Sequence, residues 1–151
     1  MLRTMYPFWS ALTAAVIAQF LKPFFYYMRK RKFRWRYMFS TGGFPSSHSA
    51  LVAALAMSVG LQEHFSSTLF AVSLALAVIV IYDAANVRFY SGLNIRITRQ
   101  LVKDVEEELN TVFDNPIYDA KIKDVLGHTW SEVIGGVLLG LAIALLFHFG
   151  S

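Results

Sequence analysis

Apolar residues gather in four runs along the chain. The first extends from about Pro7 to Met28 and is interrupted by Lys22 and Pro23; the second runs from Ser49 to Gln62 and ends at Glu63-His64. The third covers Leu69 to Tyr82, with a helical continuation towards Tyr90, and the fourth covers Val133 to Phe149, with His148 polar at its far end. A spanning helix takes roughly 20 apolar residues, with about 17 as the lower limit. The second and third runs are short by that measure and must borrow polar residues at their ends. Between the third and fourth, Leu93, Ile97, Leu101, Val105, Leu109 and Phe113 recur every four positions among mostly polar neighbours. That spacing predicts an amphipathic helix, either lying on the bilayer or packed over the bundle, closed by Asp114-Asn115-Pro116. A solvated helix with one buried stripe fits the same spacing. The expected fold is all-α: an integral membrane helical bundle of about four transmembrane helices plus one amphipathic helix, in a single domain over residues 1–151.

Composition strengthens this picture. Of the 151 residues, 56% are hydrophobic and 16% are charged, against about 25% charged in an average soluble domain. Mean hydropathy is +0.46. The chain has no cysteine, which excludes a disulfide scaffold. Six of the fourteen Lys and Arg residues fall in one stretch, Arg29, Lys30, Arg31, Lys32, Arg34 and Arg36, interleaved with Phe33, Trp35 and Tyr37. Between two apolar runs, such a stretch reads as a juxtamembrane segment that touches an anionic lipid surface, and no nucleic acid is expected as a partner. Eight of the ten acidic residues lie from Asp83 to Asp124. The positive-inside tendency then places residues 29–46 and 88–127 in the cytoplasm, with the 63–68 turn and both termini outside. The first run leads directly into Lys22 and the basic loop without a convincing cleavage site, so it reads as a span and not as a signal peptide.

Four places carry candidate chemistry. Residues 41–50 read TGGFPSSHSA, a glycine-freed turn with Ser46, Ser47 and His48 in the first turn of the second apolar helix. Unpaired N–H groups and the positive dipole end suit an anion there; plain serine capping suits the same residues. Residues 126–132 read LGHTWSE, which places His128 and Glu132 four apart on one helix face. A carboxylate beside an imidazole fixes its tautomer, while Thr129-x-x-Glu132 also matches a capping box. Lys22 and Arg29 are seven apart, two turns along one face, and a cation inside an apolar run usually has a partner or a task. In YDAANVRFYSG, residues 82–92, Asp83 and Arg88 close the third run, where a local salt bridge is the simplest account. With four spans, Lys22, Arg29, His48, Asp83, Arg88 and His128 all fall at helix ends on one side. Unrelated roles would scatter them over both.

On these residues the chain resembles the divergent branch of the type 2 phosphatidic acid phosphatase superfamily, related to acid phosphatases and vanadium haloperoxidases. The superfamily pattern is K-x6-R-P, P-S-G-H and S-R-x5-H-x3-D. Lys22 and Arg29 match the first part, with Lys30 for the proline. Pro45-Ser46-Ser47-His48 matches the second, with Ser47 for the glycine. His128 and Glu132 match the end of the third, with glutamate for aspartate. The arginine expected in the third part falls at Ile122, flanked by Lys121 and Lys123. Arg88 is the candidate to supply that charge.

The resemblance implies a metal-independent lipid phosphatase without a cofactor. His128 would be the nucleophile that forms a phosphohistidine. Glu132, or Asp83 if it reaches, would orient it, and His48 would protonate the leaving alkoxide and then activate water. Lys22, Arg29 and Arg88 would hold the phosphoryl oxygens, helped by Ser46, Ser47 and backbone N–H groups. The substrate would be a membrane lipid phosphate of the phosphatidylglycerophosphate or phosphatidic acid class, or an isoprenoid pyrophosphate, reached from the cytoplasm. The alternative is a catalytically inactive lipid-binding or assembly protein of the same fold. A haloperoxidase is disfavoured because those enzymes are soluble. Gly136 and Gly140 form a GxxxG pair that serves either packing within the monomer or a homodimer.

Overall fold

The computed structural model describes residues 5–31, 35, 38, 40, 42–113 and 128–150, apart from the side chains of Arg29, Arg88 and Phe89. Five α-helices account for most of them: α1 (Tyr6–Lys30), α2 (Ser47–Glu63), α3 (Thr68–Tyr82), α4 (Arg88–Leu109) and α5 (Trp130–Gly150). A π-helical turn, Asp83–Val87, joins α3 to α4. Among the described residues there is no strand.

Helix α1 begins with Pro7 in its first turn, where a missing N–H costs nothing. It runs on through Pro23 and ends at Arg31, whose left-handed backbone returns its N–H to the Tyr27 carbonyl at 2.8 Å. Serine hydroxyls start the next two helices. Ser46 accepts from the Ser49 N–H, and Ser67 from the Phe70 N–H.

Among the described residues, three helices are long and apolar enough to cross a membrane: Tyr6–Met28, Trp130–Gly150, and the continuous Thr68–Leu109. The remaining helix, α2, has 17 residues. It is nevertheless the axis of the bundle, packed by α1, α3 and α5. Its composition explains the position. Ser49, Ala50, Ala53, Ala54, Ser58 and Gly60 are all buried, and small side chains let backbones approach closely where lipid leaves no hydrophobic drive between helices. The central cluster is Ala14, Ala18, Ala50, Ala54, Ile143 and Ala144, drawn from α1, α2 and α5. A second cluster, Val52, Ala56 and Ala77, joins α2 to α3. The large residues face outward: Val72, Val78, Ile79, Leu138 and Leu146 are all exposed, as lipid-facing side chains should be.

The glycine pair of α5 is used inside the chain. A Cβ on Gly136 would collide with the Ser46 carbonyl, and one on Gly140 with the Ala50 carbonyl. Both glycines therefore seat α5 against α2.

Two sequence expectations need correcting. The third apolar run and the amphipathic segment are one helical run of 42 residues, about 63 Å long at 1.5 Å per residue. A bilayer core is about 30 Å thick, so a run of this length exceeds a single crossing. The amphipathic helix also ends sooner. Asn110 takes the left-handed conformation and bonds back to Glu106 and Glu107, which leaves Phe113 past the helix. Asp114-Asn115-Pro116 lies outside the described residues.

A candidate phosphoryl site at one end of the bundle

The C-terminal half of α1, the N-termini of α2 and α5, and the π-helical turn meet at one end of the bundle. Hydrogen bonds tie each to the next. On α1, Lys22 Nζ donates to the Ser40 carbonyl at 2.9 Å and to Ser47 Oγ at 3.3 Å, while Ser47 Oγ donates to Gln19 Oε1 at 2.8 Å. These bonds clamp α1 to the start of α2. The Ser46 N–H donates to the Glu132 carbonyl at 2.9 Å, joining α2 to α5. The His128 N–H donates to the Ala84 carbonyl at 3.0 Å, joining the start of α5 to the π-helical turn. Single π-helical turns within longer helices are frequent at functional sites.

The turn before α2 is held from both sides. Gly43 has φ +100°, a conformation that L side chains rarely adopt. Phe44 wedges its ring against Gly135 of α5 and stands edge-on to Phe25 of α1, with centroids 4.7 Å apart. A side chain at position 135 would displace that wedge.

His128 is 1% exposed. Its Nδ1 lies 3.1 Å from Glu132 Oε2, and the same oxygen accepts the Thr129 N–H at 3.1 Å. The two readings of this motif are therefore both realised: one carboxylate caps the helix and orients the imidazole. The Gly43 N–H is a further donor to that carboxylate. An ionised carboxylate only accepts, so Nδ1 carries a proton, and in the neutral ring Nε2 presents its lone pair. Nε2 is buried and has no hydrogen-bond partner among the described residues. Leaving such a group unsatisfied costs about 1–3 kcal/mol. The ring of His48, on the first turn of α2, stands with its centroid 6.1 Å from that of His128, the planes at 61°. The two imidazoles, eighty residues apart in the chain, thus pack edge-on against each other.

Lys22 is 3% exposed and close enough to Glu132 for their charges to interact. The residues expected to work together, Lys22, Ser47, His48, His128 and Glu132, are thus assembled. Ser46 is different. Its hydroxyl, fully buried, accepts from the Ser49 N–H at 3.3 Å and the Ser49 hydroxyl at 3.0 Å. Its oxygen serves as the cap, while the Ser47 hydroxyl gives its proton to Gln19 Oε1, so protein groups hold both serines. Asp83 sits half-buried in the π-helical turn, one residue before the carbonyl that binds the His128 N–H; the carboxylate on Nδ1 is that of Glu132. The side chains of Arg29 and Arg88, and residues 121–123, lie outside the described residues.

Sequence reasoning missed Gln19, Phe44 and Ala84. Gln19 carried a readable signal, a polar residue one turn before Lys22 on the same face. Ala84 carried none, because it acts through its backbone carbonyl.

Fold and site together define a helical membrane protein with a buried histidine, a second, half-buried one and a buried lysine at one end of its bundle. The sequence pattern of the Divergent PAP2 family matches residues 4–143, and the chain belongs to that phosphatase-related family. It is similar to the uncharacterized membrane protein YuiD of Bacillus subtilis (strain 168), 38% identical over 153 residues, which covers 98% of this chain and 97% of that protein. No solved structure matches the chain.

Proposed function

We propose that the protein is an integral membrane lipid phosphatase, hydrolysing a terminal phosphate monoester of the phosphatidylglycerophosphate or phosphatidic acid class through a phosphohistidine. The observation that carries this reading is the buried, unpartnered Nε2 of His128, held in the right tautomer by Glu132 and facing His48 across 6.1 Å between centroids. A phosphorus atom at Nε2 would fill a position that the described side chains leave unserved.

In the first step the Nε2 lone pair forms the N–P bond while the P–O ester bond breaks. His48, protonated, gives its proton to the departing alkoxide. In the second, His48 takes a proton from water as the water oxygen attacks phosphorus, and the N–P bond breaks to release phosphate. Splitting one displacement into two is the general advantage of covalent catalysis. Lys22, and the N-terminal N–H groups of α2, stabilise charge on the phosphoryl oxygens in a site shielded from water. Arg29 and Arg88 are assigned to the same oxygens from their places in the sequence. The basic stretch 29–36 favours the cytoplasmic face for this end of the bundle.

The test is inorganic phosphate release by the purified, detergent-solubilised protein from a panel of lipid phosphates. Turnover lost in both His48→Ala and His128→Ala, with unchanged melting, supports the enzyme. A well-folded wild type that turns over no member of the panel favours a lipid-binding protein.

A further inference from the structure

A hollow of about 360 Å³ lies between α1 and α2. Its lining changes character along its length. Gln19, Ser40, Ser47 and His48 form the end shared with the site, and Ala15, Val16 and Leu51 form the end one helical turn deeper in the bundle. Val16 is 44% exposed, midway along a spanning helix, so the groove opens sideways towards lipid. The other hollow, about 550 Å³ at the end of α4, is lined by Lys103, Glu106, Glu107 and Asn110 and holds none of the site residues.

We propose that the groove between α1 and α2 receives the first carbons of the substrate's hydrocarbon chain, so that a lipid phosphate enters laterally from the bilayer between these helices. The phosphoryl end of the proposal rests on the phosphatase reading; the chain end rests on the lining alone. Three features favour this occupant. The groove is continuous with His48 and Ser47. Its polar-to-apolar order is that of a headgroup followed by a chain. Its apolar end lies in a spanning helix, where the surrounding medium is itself hydrocarbon. A turn of helix is about 5.4 Å, which sets the stretch read by the groove at a few methylenes. Gln19 marks the boundary: its carbonyl is held by Ser47, and the wall turns apolar below it.

The test is binding and turnover of water-soluble alkyl phosphates from methyl to hexyl, by the wild type and by Ala15→Phe and Leu51→Phe, which fill the groove from opposite walls. Each methylene moved from water into an apolar groove is worth about 0.8 kcal/mol, close to four-fold in affinity. The wild type should therefore bind hexyl phosphate at least ten-fold more tightly than methyl phosphate, and the variants should flatten that series. A flat series in the wild type, or a slope unchanged in a variant that melts normally, overturns the groove. A groove-sensitive slope without turnover of any phosphate keeps the groove and removes the phosphatase. Turnover with a flat series does the reverse. Failure to bind either phosphate removes both.

Discussion

The bundle buries polar side chains at both ends, and the two sets are built on opposite terms. At the end away from the histidines, Ser58 Oγ donates to Ser10 Oγ at 2.9 Å and the Tyr6 hydroxyl donates to the Ser58 carbonyl at 2.7 Å. Ser10 and Ser58 are fully buried. Each of these groups is neutral, and the two hydrogen bonds work as an adhesive between α1 and α2. The histidine end holds a lysine, a carboxylate and two imidazoles, and the buried His128 Nε2 has no partner among the described residues. Adhesion needs only the first arrangement. A charged cluster with an unserved buried lone pair costs stability in an apolar bundle, a cost the neutral cluster does not carry.

The sharpest way to break the comparison is Glu132→Gln. The amide oxygen can still accept the Thr129 N–H, so the cap survives, but the charge that fixes the His128 tautomer is lost. Phosphate release should fall by roughly 10²–10⁴-fold with melting nearly unchanged. Equal loss of stability and activity would make Glu132 a cap and nothing more. The next largest effect belongs to Lys22→Met. A cation in the apolar part of a spanning helix costs about 2.5–3.5 kcal/mol on insertion scales, but the substitution also removes the bonds that clamp α1 to α2, so the two effects should largely offset and melting should change little. The substitution should also raise KM roughly 10–100-fold, by removing a charge-assisted contact to phosphate. The paired readout is thermal melting in detergent beside steady-state kinetics.

The sequence alone reveals much of this division. Hydropathy delimits α1 and α5 closely, because long apolar runs have few other fates. The i, i+4 spacing of His128 and Glu132 forecasts their contact. The continuity of α3 and α4 is less legible: Asp83, Asn86 and Val87 favour helix weakly, and the change from uniform to one-sided hydrophobicity reads as a boundary although the backbone passes through it. The central place of α2 is hidden for a related reason. Its alanines and serines give modest hydropathy over 17 residues, and only close approach to three neighbours turns those small side chains into a core. Ser46 and Ser47 are adjacent and chemically alike, yet one caps a helix and the other bridges Gln19 and Lys22. Only the direction of each side chain separates them.

Gly136→Leu probes how the site end is held together. A side chain there meets the Ser46 carbonyl, one residue from Ser47 and two from His48. Forcing α5 from α2 should cost about 1–3 kcal/mol, as overpacking does elsewhere. It should also lower activity, because the Ser46 to Glu132 hydrogen bond spans the same contact. Gly140→Leu strains the same pair of helices one turn deeper, against Ala50. It should cost similar stability with a smaller loss of turnover. If the two variants lose activity equally, the site is sensitive to global packing and not to the Ser46 contact.

The smallest effect sharpens the comparison from its quiet side. Ser58→Ala removes the donor to Ser10 Oγ but leaves the backbone carbonyl that accepts from Tyr6. Hydrogen bonds between membrane helices average about 0.6 kcal/mol, because the unfolded chain in a membrane also finds partners. Stability should fall by about that amount. Turnover should not change, since this cluster lies at the opposite end of α2 from His48. A double substitution with Ser10→Ala should lose little more, since the second hydroxyl has already lost its partner. Measured unfolding free energies for the single and double variants test that coupling. A marked fall in phosphate release from Ser58→Ala would show that the far end does more than hold the helices together, and the contrast between the two clusters would fail there.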